Sequence, residues 1–209
     1  MRKIILLTGI LFSSTILVGC NSANTSQSKS ETESSSTAKT KYKYYANNKS
    51  FHSNKGSLTI NKLIGYKKDG NNYFILDVTF KNTSKKQQDA ANIMSPNIVA
   101  YQLNKNRSQK VNLSGSNSAS DYYSSDDVDN YNRFNEITDS HSNKILPGKA
   151  MRTLMEFSYK LNNNKNNIVF SLNDPDATSK ETVNPNKNKI TFSASAVQYN
   201  SLNLSDYSN

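Results

Sequence analysis

Tyr-Phe-Ile-Leu-Asp-Val-Thr-Phe-Lys, residues 73–81, is the clearest strand signal in the chain. Large apolar residues alternate with mostly polar ones, and a period of two with aromatic and β-branched side chains is typical of a half-buried β-strand. The next three residues, Asn82-Thr83-Ser84, favour a turn that ends the strand. The face predicted to point into a core carries Phe74, Leu76, Val78 and Phe80.

Similar stripes predict further strands on both sides of this one. Leu58 and Ile60 fit a first strand, and the phase slips near Lys62-Leu63-Ile64, which indicates a β-bulge. Leu146-Pro147-Gly148 is a turn signal, because proline presets φ and glycine allows a positive φ. The other predicted stripes are Val99, Tyr101 and Leu103; Met151, Thr153, Met155, Phe157 and Tyr159; Ile168, Phe170 and Leu172; and Ile190, Phe192, Ala194 and Ala196.

These elements predict an all-β domain. No long stretch has helical periodicity, and Lys85–Met94 fits either a short helix or an irregular crossover. The fold class that we predict is an Ig-like antiparallel β-sandwich of about seven strands, preceded by a signal peptide and a disordered stalk. The Cys–Trp–Cys core of antibody domains is absent, since the chain has one cysteine and no tryptophan.

The N-terminus has the pattern of a secretory signal. Arg2 and Lys3 precede the apolar run Ile4–Val18, which ends at Gly19-Cys20. The run is shorter than the roughly 20 apolar residues that span a bilayer. Cys20 is the only cysteine, so a disulfide within the chain is excluded, and its position before a polar tract argues against an ordinary buried thiol.

Composition divides the chain into four segments. We predict a signal peptide over residues 1–19, a flexible stalk over residues 20–56, one domain over residues 57–196 and a C-terminal tail over residues 197–209. In the stalk, Lys39–Tyr45 interleaves lysines with tyrosines. Such a tract fits a contact with anionic polymer or lipid headgroups, or a solvated tether, and we favour the tether.

Several motifs resemble a known family. Residues Ile75–Ser84, Tyr101–Leu103 and Leu146–Lys149 look like the Ig-like domains of unknown function in lipoproteins of Gram-positive cell surfaces, and Leu17–Cys20 resembles their lipobox. The resemblance implies an Ig-like fold, cleavage between Gly19 and Cys20, and lipid (diacylglyceryl, often with a palmitate-type acyl chain) on Cys20. It also implies the extracytoplasmic face of the cell membrane, and it supplies no catalytic residue.

The segment 115–146 is long, polar and acidic, and it interrupts the strand pattern. Counted from Asp127, an EF-hand spacing fails, because Asn132 and Thr138 stand where glycine and glutamate are needed. A solvated loop is the default expectation, with a calcium site of another type as the alternative. The carboxylates concerned are Asp121, Asp126, Asp127, Asp129, Glu136 and Asp139.

Four aromatic residues in this segment are our candidate partner contacts. Exposed tyrosines provide contact area at a low entropic cost. The alternative is that one or two of the rings hold the loop against the sandwich, and we weigh the two interpretations equally. The candidates are Tyr122, Tyr123, Tyr131 and Phe134.

Catalytic chemistry has little support. His141 lies between Asp139 and Ser142, but no Gly-x-Ser-x-Gly elbow accompanies them. The other histidine, His52, is distant in sequence, which disfavours a zinc site. No phosphate-binding loop is found. We therefore expect a non-enzyme with no catalytic residues, no metal and no cofactor.

The charge indicates anionic neighbours. The formal net charge is +10, and removal of Arg2 and Lys3 with the leader leaves +8. Scattered lysines and scarce arginines disfavour nucleic acid. We predict a membrane-anchored surface lipoprotein that presents a non-catalytic binding domain to an envelope protein or an anionic wall polymer. The alternatives are a structural accessory protein of the envelope and a hydrolase within the acidic segment; the sequence does not indicate the oligomeric state.

Overall fold

Two β-sheets pack face to face, and a helix covers the outer face of the larger sheet. The computed structural model describes residues 42–94, 97–117, 121–124, 126–173 and 183–207. The prediction of an all-β sandwich of antiparallel sheets is confirmed. The elements are β1 (Tyr45–Asn47), β2 (Ser50–His52), β3 (Gly56–Lys68), β4 (Asn71–Asn82), α1 (Ala90–Ile93), β5 (Asn97–Leu103), β6 (Lys110–Asn112), β7 (Gly115–Asn117), α2 (Val128–Asp139), β8 (Ala150–Lys160), β9 (Ile168–Asn173), β10 (Lys189–Phe192) and β11 (Val197–Tyr199).

The larger sheet has the order β1-β2-β3-β4-β8-β7, and the smaller sheet has the order β10-β9-β5-β6. All neighbours are antiparallel except β11, which pairs in parallel with β3. The eleven described strands exceed the expected seven. Five of them, β1, β2, β6, β7 and β11, are three residues long, which is too short for an alternating pattern to reveal them.

The core between the sheets contains the predicted face of β4. Phe74 and Val78 are 0% exposed, and Leu76 and Phe80 are buried beside them. From the smaller sheet, the ring of Phe170 meets Phe74 edge-on, with centroids 6.2 Å apart. Both sheets therefore bury apolar side chains in one continuous layer.

A second core lies on the opposite face of the larger sheet. Ile64, Ile75 and Leu154 point to this side and pack against Phe134 of α2 and Tyr207 near the C-terminus. The expectation that β4 is half-buried is therefore wrong, because α2 and the C-terminal segment cover the face that was expected to meet solvent.

The bulge predicted near residue 62 is confirmed. The register between β3 and β4 shifts between Ile60 and Lys62, which leaves Asn61 as the extra residue. Asn61 Nδ2 donates to Asp77 Oδ1 at 2.9 Å, so the bulge directs an amide at a buried carboxylate. β2 pairs with β3 before the bulge and β11 pairs with it after the bulge, on residues 57–59 and 63–65.

Parts of three predicted stripes are wrong. Phe157 of β8 is 51% exposed, because a second register shift, between Ile75 and Asp77 of β4, changes the phase of β8. In β5 the buried residues are Ala100 and Gln102, not the face of Val99, Tyr101 and Leu103. β10 ends at Phe192, and Ala194–Ala196 forms a 3-10 helix.

The predicted turns are present. Lys149 N donates to Leu146 O at 3.0 Å, and Gly148 has φ of +75°. Asn82 Oδ1 accepts from Ser84 N at 2.9 Å, which closes the turn after β4. In the segment 85–94, the short helix is the alternative that the structure shows, as α1.

The folded part is longer at both ends than expected. β1 and β2 lie within the predicted stalk, and β11 and the buried Tyr207 lie within the predicted tail. Each segment brings apolar side chains such as Phe51, Val197 and Tyr207 into the cores, but its strands are too short for an alternating pattern to reveal them. The predicted signal peptide, Gly19, Cys20 and the tract up to Lys41 lie outside the described residues. Within the described residues, no helix has the length and apolarity needed to cross a bilayer.

Candidate functional site

The acidic segment is largely structured. It contributes β7 at Gly115–Asn117, and α2 occupies Val128–Asp139. The expectation of an unstructured loop is wrong here, and a signal was present: Tyr131, Phe134 and Thr138 recur at spacings of three and four residues, which places them on one face of a helix. In α2, Phe134, Ile137 and Thr138 are buried.

The four candidate aromatic residues belong mainly to the outer core. Phe134 is 0% exposed. The centroid of its ring lies 6.5 Å from that of Tyr122 and 5.9 Å from that of Tyr123. Tyr131 packs on the same core. These rings therefore pack the segment against the sheet. Of the four candidates, Tyr122, Tyr123 and Tyr131 are half-buried and keep part of their surface accessible to solvent, whereas Phe134 does not.

Asp121 is the centre of a polar cluster beside these rings. Its carboxylate accepts from Lys68 Nζ at 2.5 Å, from Ser116 Oγ, and from Tyr66 Oη at 3.5 Å. Burial raises the pKa of Asp121, but the hydrogen bonds and the Lys68 charge outweigh burial, and the pKa lies below its usual value. The same hydrogen bond raises the pKa of Lys68, so both groups are ionised at neutral pH.

A groove of about 840 Å³ opens next to this cluster. It is bounded by the last residues of β3, the beginning of β4, the segment of Asp121, the loop after β8 and the residues around β11. Its walls combine aromatic rings with amide and carboxylate groups. The lining residues that matter here are Tyr66, Asn72, Asp121, Tyr122, Asn164 and Tyr199.

The tyrosines of the groove present ring faces and neutral hydroxyls. The rings of Tyr66 and Tyr122 meet edge-on with centroids 5.2 Å apart, and Tyr199 is 39% exposed. Burial raises the pKa of Tyr66, Tyr122 and Tyr199, so each phenol keeps its proton at neutral pH. Lys68 neutralises Asp121, so the remaining charge of the lining is that of the exposed Lys67, and the other polar groups of the groove are neutral.

His141 is not assembled into a triad. Its Nδ1 lies 2.5 Å from Thr138 O, and Ser142 Oγ donates to Asp139 O at 2.8 Å. The side chains of His141 and Ser142 thus both form hydrogen bonds with backbone carbonyl groups at the end of α2. His52 lies in β2, where its ring stacks on Tyr45 at 4.8 Å between centroids.

The carboxylates of the acidic segment serve separate partners. Asp127 accepts from Asn130 Nδ2 at 3.1 Å, and Glu136 pairs with Arg133 at 3.0 Å. In the part of the chain that the structure describes, no three or more His, Cys, Asp or Glu side chains are grouped as ligands for a metal ion.

Two features of the structure were not predicted. Tyr199 lies in the predicted tail, so nothing marked it as part of a groove. The second feature is the ion pair between Asp77, which is 0% exposed, and the half-buried Arg152, whose Nη2 lies 2.6 Å from Asp77 Oδ2. A charged residue in the middle of the apolar strand signal at 73–81 was the available clue.

Comparisons with known proteins give a family but no activity. Residues 28–174 match the family described as "Domain of unknown function (DUF5067)". No curated protein matches the chain. The chain is similar to a candidate lipoprotein from Staphylococcus aureus subsp. aureus NCTC 8325, with 15% identity over 75% of this chain and 95% of that chain and a TM-score of 0.49.

A protein from Enterococcus faecalis, solved by NMR, is also similar, with 17% identity over 63% of this chain and 82% of that chain and a TM-score of 0.39. The family match spans more than half of the sequence and includes β1 to β9. The chain therefore belongs to the DUF5067 family of domains of unknown function.

Proposed function

We propose that this chain is a lipid-anchored protein of the extracytoplasmic face of the cell membrane and that its β-domain is a non-catalytic binding module. The observation that carries the binding role is the groove, where three tyrosine rings adjoin three asparagine amides and the neutralised Asp121. Concave sites with ring faces and a few convergent polar groups are the usual form of ligand pockets.

The groove suits a ligand rich in hydroxyl and amide groups. Asn72 and Asn164 supply both donors and acceptors, and Asn72 Nδ2 already reaches Asn164 Oδ1 at 3.3 Å, so the two amides face one another across the loop. The partly exposed ring of Tyr199 offers a flat surface for stacking. A saccharide segment of the cell wall has this chemistry, and a protein partner of the envelope is the alternative occupant.

Anchoring is proposed on the sequence. Cys20 is the sole cysteine and directly follows an apolar run and Gly19. Two or more acyl chains on the residue would give stable attachment, whereas one chain binds only marginally. The proposed cleavage between Gly19 and Cys20 leaves the lipid-bearing residue at the new N-terminus.

The binding role is tested with soluble glycan fragments released from cell wall, titrated into the purified chain and followed by amide chemical shifts. We expect Tyr199→Ser to weaken binding about tenfold, because the variant loses the contact area of the ring with the ligand. Tyr45→Ser is the matched control, because Tyr45 is 38% exposed and lies outside the groove lining. Equal loss in both variants, or no binding by the parent, contradicts a glycan site in the groove.

The anchor is tested in cells with Cys20→Ser. We expect the variant to keep its leader and to leave the lipid-modified membrane fraction, as judged by metabolic labelling with an alkyne fatty acid. Labelling of the variant equal to that of the parent contradicts anchoring at Cys20.

A further inference from the structure

One end of the sandwich is strongly basic. Backbone pairing places Tyr45, His52, Ser57, Lys81 and Ala150 in one row across β1, β2, β3, β4 and β8. The turns beyond this row carry further lysines and are tied together by backbone hydrogen bonds, from Thr83 N to Lys55 O at 2.9 Å and from Asn82 N to Lys149 O at 2.9 Å.

Seven lysines belong to this basic end. Asn82 Nδ2 donates to Lys86 O at 2.7 Å, and Gln88 pairs with Ile145, which brings the turn after β4 beside the segment before β8. Six of the lysine side chains are exposed, and that of Lys55 is half-buried. The seven are Lys43, Lys55, Lys81, Lys85, Lys86, Lys144 and Lys149.

Two carboxylates lie at the basic end, which is too few to balance the charges of the seven lysines. Asp89 pairs with Lys144 at 3.3 Å, and Asp139 is exposed at the end of α2. The hydrogen bond from Asn92 N and the charges of Lys144 and Lys55 hold the pKa of Asp89 below its usual value. The basic end therefore keeps a large positive excess at neutral pH.

The chain from the anchor arrives at this same end. The described chain begins at Tyr42 and enters β1 at Tyr45, which lies in the row of Lys81. From Tyr45 the strand runs away from the basic end towards Asn47. Residues 21–41 alone join Cys20 to Tyr42, so an anchored chain holds this end at a high effective concentration beside the bilayer.

The opposite end also carries exposed lysines, but the chain from the anchor does not arrive there. Lys68 is paired with Asp121, and Asp69 lies in the same turn. Lys160 and Lys165 flank the loop after β8, where Leu161 N donates to Asn72 O at 2.8 Å. This end also holds the groove, so the groove lies at the end of the sandwich opposite to the arriving chain.

From these relations we propose that the basic end is a docking surface for anionic lipid headgroups and that it seats the domain end-on at the membrane with the groove pointing outward. The proposal rests on the proposed anchor at Cys20 for its direction, because a free domain would have no membrane end. Lysines within a Debye length of an anionic surface attract it additively, and salt screens the attraction.

The test is cosedimentation of chain Asn21–Asn209 with vesicles of phosphatidylcholine, with and without phosphatidylglycerol. Both cores are built from residues between Tyr44 and Tyr207, so this chain retains them. The test variant replaces Lys81, Lys85, Lys86 and Lys149 by glutamine. The control replaces Lys105, Lys110, Lys160 and Lys165, which are exposed and lie towards the opposite end, and so has the same net charge. Circular dichroism establishes that each variant is folded.

We expect binding to vesicles that contain phosphatidylglycerol, and a partition coefficient at least tenfold lower for the test variant than for the control. Moderate salt should abolish binding by the parent. Equal loss in the two variants shows a non-specific charge effect and overturns the proposal, as does the absence of vesicle binding.

Competition with soluble polyphosphate separates lipid from an anionic polymer. Tight binding of polyphosphate through the same four lysines, without vesicle binding, assigns the surface to a polymer and also overturns the proposal. These assays use no lipid on Cys20, so their failure is distinct from a failure of the anchor, which the Cys20→Ser experiment detects.

Discussion

The guanidinium of Arg152 binds the fully buried carboxylate of Asp77 with Nη2 2.6 Å from Oδ2, and it lies over the ring of Tyr207 at 4.8 Å. Nε of Arg152 also donates to Asp77 Oδ1 at 3.0 Å. On its other side, the carboxylate accepts from Asn61 at the bulge of β3. One side chain thus connects the centre of the sheet to the C-terminal segment.

Arg152→Met should destabilise the domain strongly. Removal of the guanidinium leaves the Asp77 charge buried, and loss of one partner of such a pair costs about 3 kcal/mol or more. Urea unfolding measures the change. The control is Arg107→Met, since Arg107 is exposed and its side chain donates from Nε to Asn166 Oδ1 at 3.3 Å, so a change below about 1 kcal/mol is expected. Similar losses in the two variants contradict a special role for the Asp77 pair.

Gly65→Ala should loosen the C-terminal segment. A Cβ at Gly65 would lie 2.6 Å from Val197 Cγ1 and 2.9 Å from Tyr199 Cδ1, so β11 must shift. Overpacking of this kind costs about 1–3 kcal/mol, and limited proteolysis after β10 should accelerate. Gly115→Ala is the matched control, because its nearest contact would be an ordinary 3.4 Å to Ser158 O. Unchanged proteolysis of Gly65→Ala would show that β11 does not depend on this close approach.

Val78→Asp should prevent folding or cost at least about 3 kcal/mol. Val78 is 0% exposed between the sheets, and an unpaired carboxylate there has no compensating partner. Phe157→Asp, at a position that is 51% exposed, tests the corrected phase of β8 and should leave the melting temperature nearly unchanged. If Phe157→Asp destabilises as much as Val78→Asp, the outward direction of Phe157 is wrong.

Asp121→Asn should lower the melting temperature at neutral pH but not in acid. The pKa of Asp121 is lower in the folded state than in the unfolded state, where it is about 3.9. The ionised carboxylate therefore stabilises the fold at pH values above about 3.9. This contribution is lost as the pH falls through the pKa of the folded state. The raised pKa of Lys68 keeps its charge throughout this window. Thermal melts between neutral pH and about pH 3 should show the parent and variant converging. Asp126→Asn, at an exposed position, is the control.

The inner core was predictable from sequence because it follows an alternating pattern. Phe74, Val78, Ile168 and Phe170 lie between the sheets as their spacing indicates. The phase slip at Lys62 was equally visible, since a bulge shifts every later side chain by one face. The all-β class and the turn at Gly148 follow from the same local rules.

The groove and the outer core were not predictable in this way. They join residues that are distant in sequence, such as Tyr66 and Tyr199, through a parallel pairing of three residues. α2 has a mostly polar sequence, and its buried face needs only Phe134, Ile137 and Thr138, so tertiary contact rather than composition decides that it is helical. Asp77 was visible as an unusual residue, but its partner Arg152 is supplied by a strand far along the chain.

The division of one edge of β3 between β2 and β11 has a consequence for biogenesis. β2 is among the first strands to be synthesised and β11 is the last, and the side chain that seals the outer core, Tyr207, follows it. The outer core can therefore be completed only after synthesis has passed Tyr207, whichever of the earlier strands pair first.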